Sequence, residues 1–95
     1  MLPPQVRPYS RTAEFTELSV PPALLRDHTT KVGVWGMIHV LEGELVYRIT
    51  DPRRAKSEEV LTAETAPGVV EPTILHAVEQ RGAVRFYVEF HREPT

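Results

Sequence analysis

Four histidines are the residues of this sequence best suited to metal binding or to proton transfer near neutral pH: His28, His39, His76 and His91. The sequence contains no cysteine, so a bound metal would need nitrogen and oxygen ligands, and no disulfide framework can form. A lone histidine in a β-rich domain is more often a surface or hydrogen-bonded core residue than a ligand. The sequence context must therefore decide which of them form a site.

Two further residues are candidates for such a site because they interrupt apolar segments. Glu89 lies within the apolar final segment, so it either faces solvent by strand alternation or turns inward to meet a charge. His39 lies between Ile38 and Val40 and enters a pocket only if those two residues point outward. Glu42 and Glu71 are weaker carboxylate candidates, and His91, near the C-terminal end, is interpreted as a surface residue.

Lys31 and Trp35 are candidates for ligand binding rather than for chemistry. Lysine is usually solvated, but next to His28 the Lys31 ammonium could hold an anion, and an oxyanion is the ligand that this pairing favours. Trp35, the only tryptophan, is expected to pack at the mouth of the fold, where large aromatic rings also contact ligands.

Short strand-like runs separated by turn signals must position these residues. Residues 34–41 and 44–50 flank Glu42-Gly43, which predicts a β-hairpin with a tight turn. Further strands are predicted over residues 59–63, 68–71, 76–80 and 83–91, with a turn at Arg81-Gly82. Only residues 22–26 have the pattern of a short helix. Many short strands with frequent turns indicate an all-β sandwich or barrel.

The order of these motifs resembles the TehB/YeaR-like small cupins, a family associated with tellurite resistance. The resemblance covers most of the chain and rests on Pro22-x-Leu24-x-x-x-x-His28-x-x-Lys31-x-Gly33-Val34-Trp35, Val40-Leu41-Glu42-Gly43-Glu44-Leu45, Glu71-Pro72-x-x-x-His76-x-Val78-Glu79 and Phe86-Tyr87-Val88-Glu89-Phe90. It implies an all-β, single-domain cupin over residues 1–95, a double-stranded β-helix barrel of the jelly-roll type.

The same resemblance implies a metal site at His28 and His76, which match the cupin histidines. Thr30 stands where a second histidine of the first cupin motif would be. We therefore expect Glu89, with His39 in reserve, to complete a site for a divalent ion (Zn, Fe, Ni or Mn, with zinc favoured in the purified protein). A small molecule or oxyanion would bind in the barrel, with Lys31 and Trp35 at its rim.

Composition excludes several other classes of protein. The net charge of -2 and the pI near 6.1 provide no basic surface for nucleic acid. No secretory signal or apolar run long enough to span a bilayer is evident, which predicts a cytoplasmic protein. No Gly-x-Ser-x-Gly elbow or Walker motif is present, so serine-type acyl transfer and nucleotide hydrolysis lack their motifs.

Two alternatives to a metal-dependent enzyme or sensor follow from the same residues. One is a metal-free module that binds a small anionic or apolar ligand, with His28, Lys31 and Trp35 at its rim. The other is an interaction domain. A homodimer is expected in any case, because a 95-residue chain has a small core and residues 34–41 carry apolar side chains on both faces.

Overall fold

The computed structural model describes residues 2–94 and shows one small all-β domain, as the sequence predicts. Its strands are β1 (Arg7–Arg11), β2 (Phe15–Thr16), β3 (Trp35–Ile49), β4 (Ser57–Leu61), β5 (Gly68–Val70) and β6 (His76–Arg92). A 3₁₀ turn, Pro22–Leu25, stands where the short helix is predicted. Met1 and Thr95, which the predicted domain includes, lie outside the described residues. No helix within residues 2–94 is long and apolar enough to cross a membrane.

All strand pairs are antiparallel and belong to one sheet. Its strands run in the order β1-β6-β3-β4, with β2 also paired to β6 and β5 also paired to β3. In the described part of the chain no pairing joins β1 to β4, so the sheet is not closed into the predicted jelly-roll barrel. The all-β class is confirmed at this coarser level.

The predicted hairpin at Glu42-Gly43 is wrong, because β3 continues through it as one strand of 15 residues. Gly43 instead lies at an irregularity in the pairing of β3 with β6, and its positive φ of 80° allows the strand to bend without ending. The predicted turn at Arg81-Gly82 is wrong for the same reason, since Gly82 has a φ of 68° and lies within the opposite strand. Both long strands therefore bend together.

The two faces of this bent sheet differ in character. The inner face carries the hydrophobic core, in which Leu45, Phe86, Ile38 and Leu61 are at most 2% exposed. Strand alternation places Ile38, Phe86 and Val88 on this face. Their neighbours His39, Tyr87 and Glu89 consequently point to the outer face.

A buried carboxylate holds the segment that precedes β6. Asp51 accepts hydrogen bonds from the Arg53 side chain (2.8 Å) and from the Leu75 backbone N–H (2.9 Å). The Thr50 N–H also donates to the Leu75 carbonyl (3.0 Å). These bonds anchor the residue immediately before His76 and so fix where β6 begins.

Candidate functional site

An apolar pocket of about 270 Å³ lies on the inner face of the sheet. The strands supply its floor with Ile38, Val70, Val78, Phe86, Val88 and Phe90. The segment between β1 and β3, which includes β2 and the 3₁₀ turn, covers it with Phe15, Pro21, Ala23 and Leu24. The pocket is thus built from the bend of β3 and β6 and from a cover that contains the 3₁₀ turn.

Two threonines line the pocket, but backbone groups engage their hydroxyls. Thr12 Oγ1 donates to the Ala13 carbonyl (2.8 Å) and accepts from the Val88 N–H (3.0 Å). Thr30 Oγ1 donates to the Val34 carbonyl (2.7 Å). Among the described lining residues, the other polar side chains are the imidazoles of His28 and His76.

The structure brings His28 and His76 together, as the sequence predicts. Their backbones form an isolated antiparallel bridge, with N–H to carbonyl distances of 2.8 and 2.9 Å. Their rings meet edge to face with centroids 5.7 Å apart. This bridge attaches the segment that covers the pocket to the first residue of β6.

His76 is buried and chemically constrained. Its Nδ1 lies 3.3 Å from the Ile74 carbonyl oxygen, which can only accept, so Nδ1 carries the proton in the neutral ring. Burial lowers the pKa of His76; the bond to the Ile74 carbonyl opposes this shift, and the nearby His28 adds to it. The neutral ring therefore offers Nε2 as an acceptor at physiological pH.

The Tyr47 ring contacts His76 from the side of the core, with ring centroids 5.8 Å apart. Its hydroxyl donates to the Val69 carbonyl (2.9 Å), and burial raises the pKa of Tyr47 to about 12. Tyr47 is therefore a neutral packing partner of His76.

Glu89 and His39, the other predicted ligands, lie on the outer face, away from His28 and His76. Glu89 Oε1 is 3.5 Å from His39 Nε2 and 2.8 Å from His91 Nε2. Hydrogen bonding to His91 is the main cause that lowers the pKa of Glu89. His91 is itself 7% exposed, so its interpretation as a surface residue is wrong. The period of two that joins Tyr87, Glu89 and His91 is the sequence signal that could have grouped His91 with Glu89.

Lys31 and Trp35 lie outside the apolar pocket. Lys31 is exposed and lines a separate surface cleft together with His28 and Tyr9. Trp35 pairs with His91 across β3 and β6 and borders another cleft near Val6. Of the predicted rim, His28 and Lys31 therefore share one cleft, whereas Trp35 borders a different one.

Fold and pocket together define a small antiparallel β-domain whose concave apolar site carries a histidine pair. The model of the TehB-like domain matches residues 10–88, and the chain belongs to the TehB-like family. A protein of Haemophilus influenzae (strain Rd) named "Probable S-adenosyl-L-methionine-dependent methyltransferase TehB" is 35% identical over 72 residues, which are 75% of this chain and 25% of that protein. The chain thus spans about a quarter of the length of that relative.

Two solved structures share the fold. The crystal structure of TehB from Haemophilus influenzae superimposes with a TM-score of 0.84 at 26% identity, covering 95% of this chain and 32% of that one. A protein of Escherichia coli (strain K12) superimposes with a TM-score of 0.85 at 20% identity, covering 100% of this chain and 98% of that one. The second likeness shows the fold alone.

The prediction of a metal-binding cupin is wrong. The relatives are named as S-adenosyl-L-methionine-dependent methyltransferases, and residues 2–94 contain no group of three or more His, Cys, Asp or Glu side chains placed to hold a metal ion. The physical reason is alternation, which puts Glu89 and His39 on the face opposite His28 and His76. The predicted Zn, Fe, Ni or Mn cofactor is wrong on the same findings.

Proposed function

We propose that this chain is a TehB-like binding domain that serves an S-adenosylmethionine-dependent methyltransferase by holding a small apolar molecule in the pocket. The observation that carries this proposal is the concave, predominantly apolar lining of the pocket, interrupted by the His28 and His76 imidazoles. Pockets of this composition take up small molecules through hydrophobic burial, and a few polar groups orient them. The names of the relatives supply the link to methyl transfer.

The pocket fits S-adenosylmethionine poorly. Among the described residues that line it there is no carboxylate to meet the ribose hydroxyls or the cationic sulfonium and ammonium groups. A cavity of 150 Å³ holds one benzene, so 270 Å³ accommodates roughly ten non-hydrogen atoms, and S-adenosylmethionine is about two to three times that size. We therefore assign the pocket to a different, smaller molecule and derive no methyl-transfer step within this chain.

Isothermal titration with three probes tests the proposal: indole, benzofuran and S-adenosylmethionine. We expect the two bicyclic probes to bind with dissociation constants of about 0.1 to 1 mM, the range that ligand efficiency allows for molecules of this size. S-adenosylmethionine should give no heat of binding. Saturable binding of S-adenosylmethionine, or no binding of either bicyclic probe, would overturn the proposal.

A matched pair of variants locates the binding site. Val88→Phe adds a ring on the inner face and should abolish probe binding by filling the pocket. Val69→Phe makes the same chemical change on β5 outside the pocket lining, so it should leave probe affinity within about twofold of wild type. Equal affinities in the two variants would place the bound probe elsewhere.

Several other predictions from the sequence are proposals for this protein. A rolled, jelly-roll form of the sheet is supported by the shared bend of β3 and β6, and a single domain by the one core cluster among residues 2–94. A homodimer, an oxyanion ligand at Lys31 and a cytoplasmic location stay predictions. A ligand role for Trp35 also stays a prediction.

A further inference from the structure

The His28 and His76 imidazoles distinguish this pocket from a purely apolar cavity, and of the two rings His76 is the one whose tautomer is fixed by a backbone contact. His76 Nδ1 is committed to the Ile74 carbonyl, and none of the residues within 2–94 hydrogen-bonds to His76 Nε2. The two lining threonines are occupied by backbone groups. His76 therefore presents the Nε2 lone pair to a ligand, and this lone pair accepts hydrogen bonds but cannot donate them.

The charge of a suitable ligand follows from the lining. Of the described residues that form the pocket, none is an aspartate, glutamate, lysine or arginine. An ion buried against such a surface would lose its hydration without gaining a countercharge, which is costly. The pocket therefore selects neutral molecules.

The shape of the ligand follows from the aromatic residues. Phe15 from the cover and Phe86 from β6 meet with ring centroids 5.6 Å apart at 60°, and Phe90 lines the same cavity. Ring faces and edges of this kind pack best against other flat aromatic rings. Together with a volume of about 270 Å³, this favours a ligand of one or two fused rings.

Resting on the proposed function, we infer that the pocket binds small neutral aromatic molecules that carry one O–H or N–H group and donate it to His76 Nε2. His76 is thus the specificity-determining residue of the site. The apolar lining supplies affinity that any ring of the right size would share. The hydrogen bond supplies the discrimination between rings, because a ligand without a donor leaves the buried acceptor unpaired.

Indole and benzofuran separate these two contributions, because they have the same size and shape. Indole carries an N–H donor where benzofuran carries an oxygen that cannot donate. We expect indole to bind wild-type protein about 3- to 10-fold more tightly than benzofuran, the range for one buried neutral hydrogen bond. On indole binding, the ¹⁵N resonance of the unprotonated His76 nitrogen should also shift.

Two substitutions at His76 complete the test. His76→Leu removes the acceptor and should make the two affinities equal, while His76→Gln keeps an oxygen acceptor at similar reach and should retain the preference for indole. The amide NMR spectrum of each variant shows whether it has kept the wild-type fold. Equal affinities in wild type, or a preference for indole that survives His76→Leu, would overturn this inference and leave the proposed function standing. Failure of both probes to bind would overturn the proposed function itself.

Discussion

The buried neutral state of His76 has a measurable consequence for the pH dependence of folding. In the unfolded chain a histidine takes up a proton with a pKa of about 6.5, whereas burial lowers the pKa of His76 in the folded state. Below pH 6.5 the unfolded chain therefore binds a proton that the folded chain resists. Linkage then requires stability to fall with falling pH until the lowered folded-state pKa is reached.

The size of this loss has a ceiling. Suppose that folded His76 bound no proton down to pH 5. Integrating the linkage relation from pH 7.5 to pH 5 then gives a loss of about 2 kcal/mol in the free energy of unfolding. That is a substantial share of the roughly 5–15 kcal/mol by which a domain of this kind is stable. The measured contribution of His76 should be greater than zero and no larger than this ceiling.

Urea unfolding of wild type and His76→Gln at pH 7.5 and pH 5.0 measures the contribution. Glutamine does not titrate, so the wild type should lose more stability than the variant over this interval, and the difference isolates His76 from the other histidines. A wild type that loses the same stability as His76→Gln, or less, would refute the assignment of a buried neutral imidazole.

Further predictions concern the bend in the sheet and the loop before β6. At Gly43 an added Cβ would collide with the Ala83 carbonyl, whereas at Gly82 it would meet open space. Gly82→Ala should therefore lower the free energy of unfolding by about 1 kcal/mol, and Gly43→Ala by roughly 3 kcal/mol or more. Urea unfolding of both variants measures these losses. Hydrogen bonding to Arg53 holds the pKa of Asp51 well below its usual range, so its stabilisation is present above about pH 4 and lost as the pH falls further. Asp51→Asn should therefore flatten the acid limb of the stability curve, and an unchanged acid limb would contradict this reading.

The sequence predicts the inner face of β6 because its alternation is regular. Phe86, Val88 and Phe90 recur with a period of two, and this period places Glu89 on the opposite face. Here the solvent-side alternative for Glu89 agrees with the structure, and the metal-ligand alternative does not. The resemblance to metal-binding barrels favoured Glu89 as a metal ligand, and that alternative is the one that the structure does not support.

The sequence does not predict the bend or the outermost strand. A glycine between two apolar runs is typical of a turn, and only the register of the partner strand shows that Gly43 lies in a bulge. β1 was missed because all five of its residues are exposed, so it carries no hydrophobic period. The cover of the pocket is not predicted because Phe15 lies in a strand of two residues and Leu24 in a single 3₁₀ turn, elements too short to show a hydrophobic period.

A crystal structure of the chain soaked with indole tests the binding pocket most directly. The account predicts the indole ring between Phe86 and the cover segment around Leu24, with its N–H within about 3.2 Å of His76 Nε2. Indole bound only on the outer face near Tyr87, or in the pocket with its N–H turned away from His76, would contradict it.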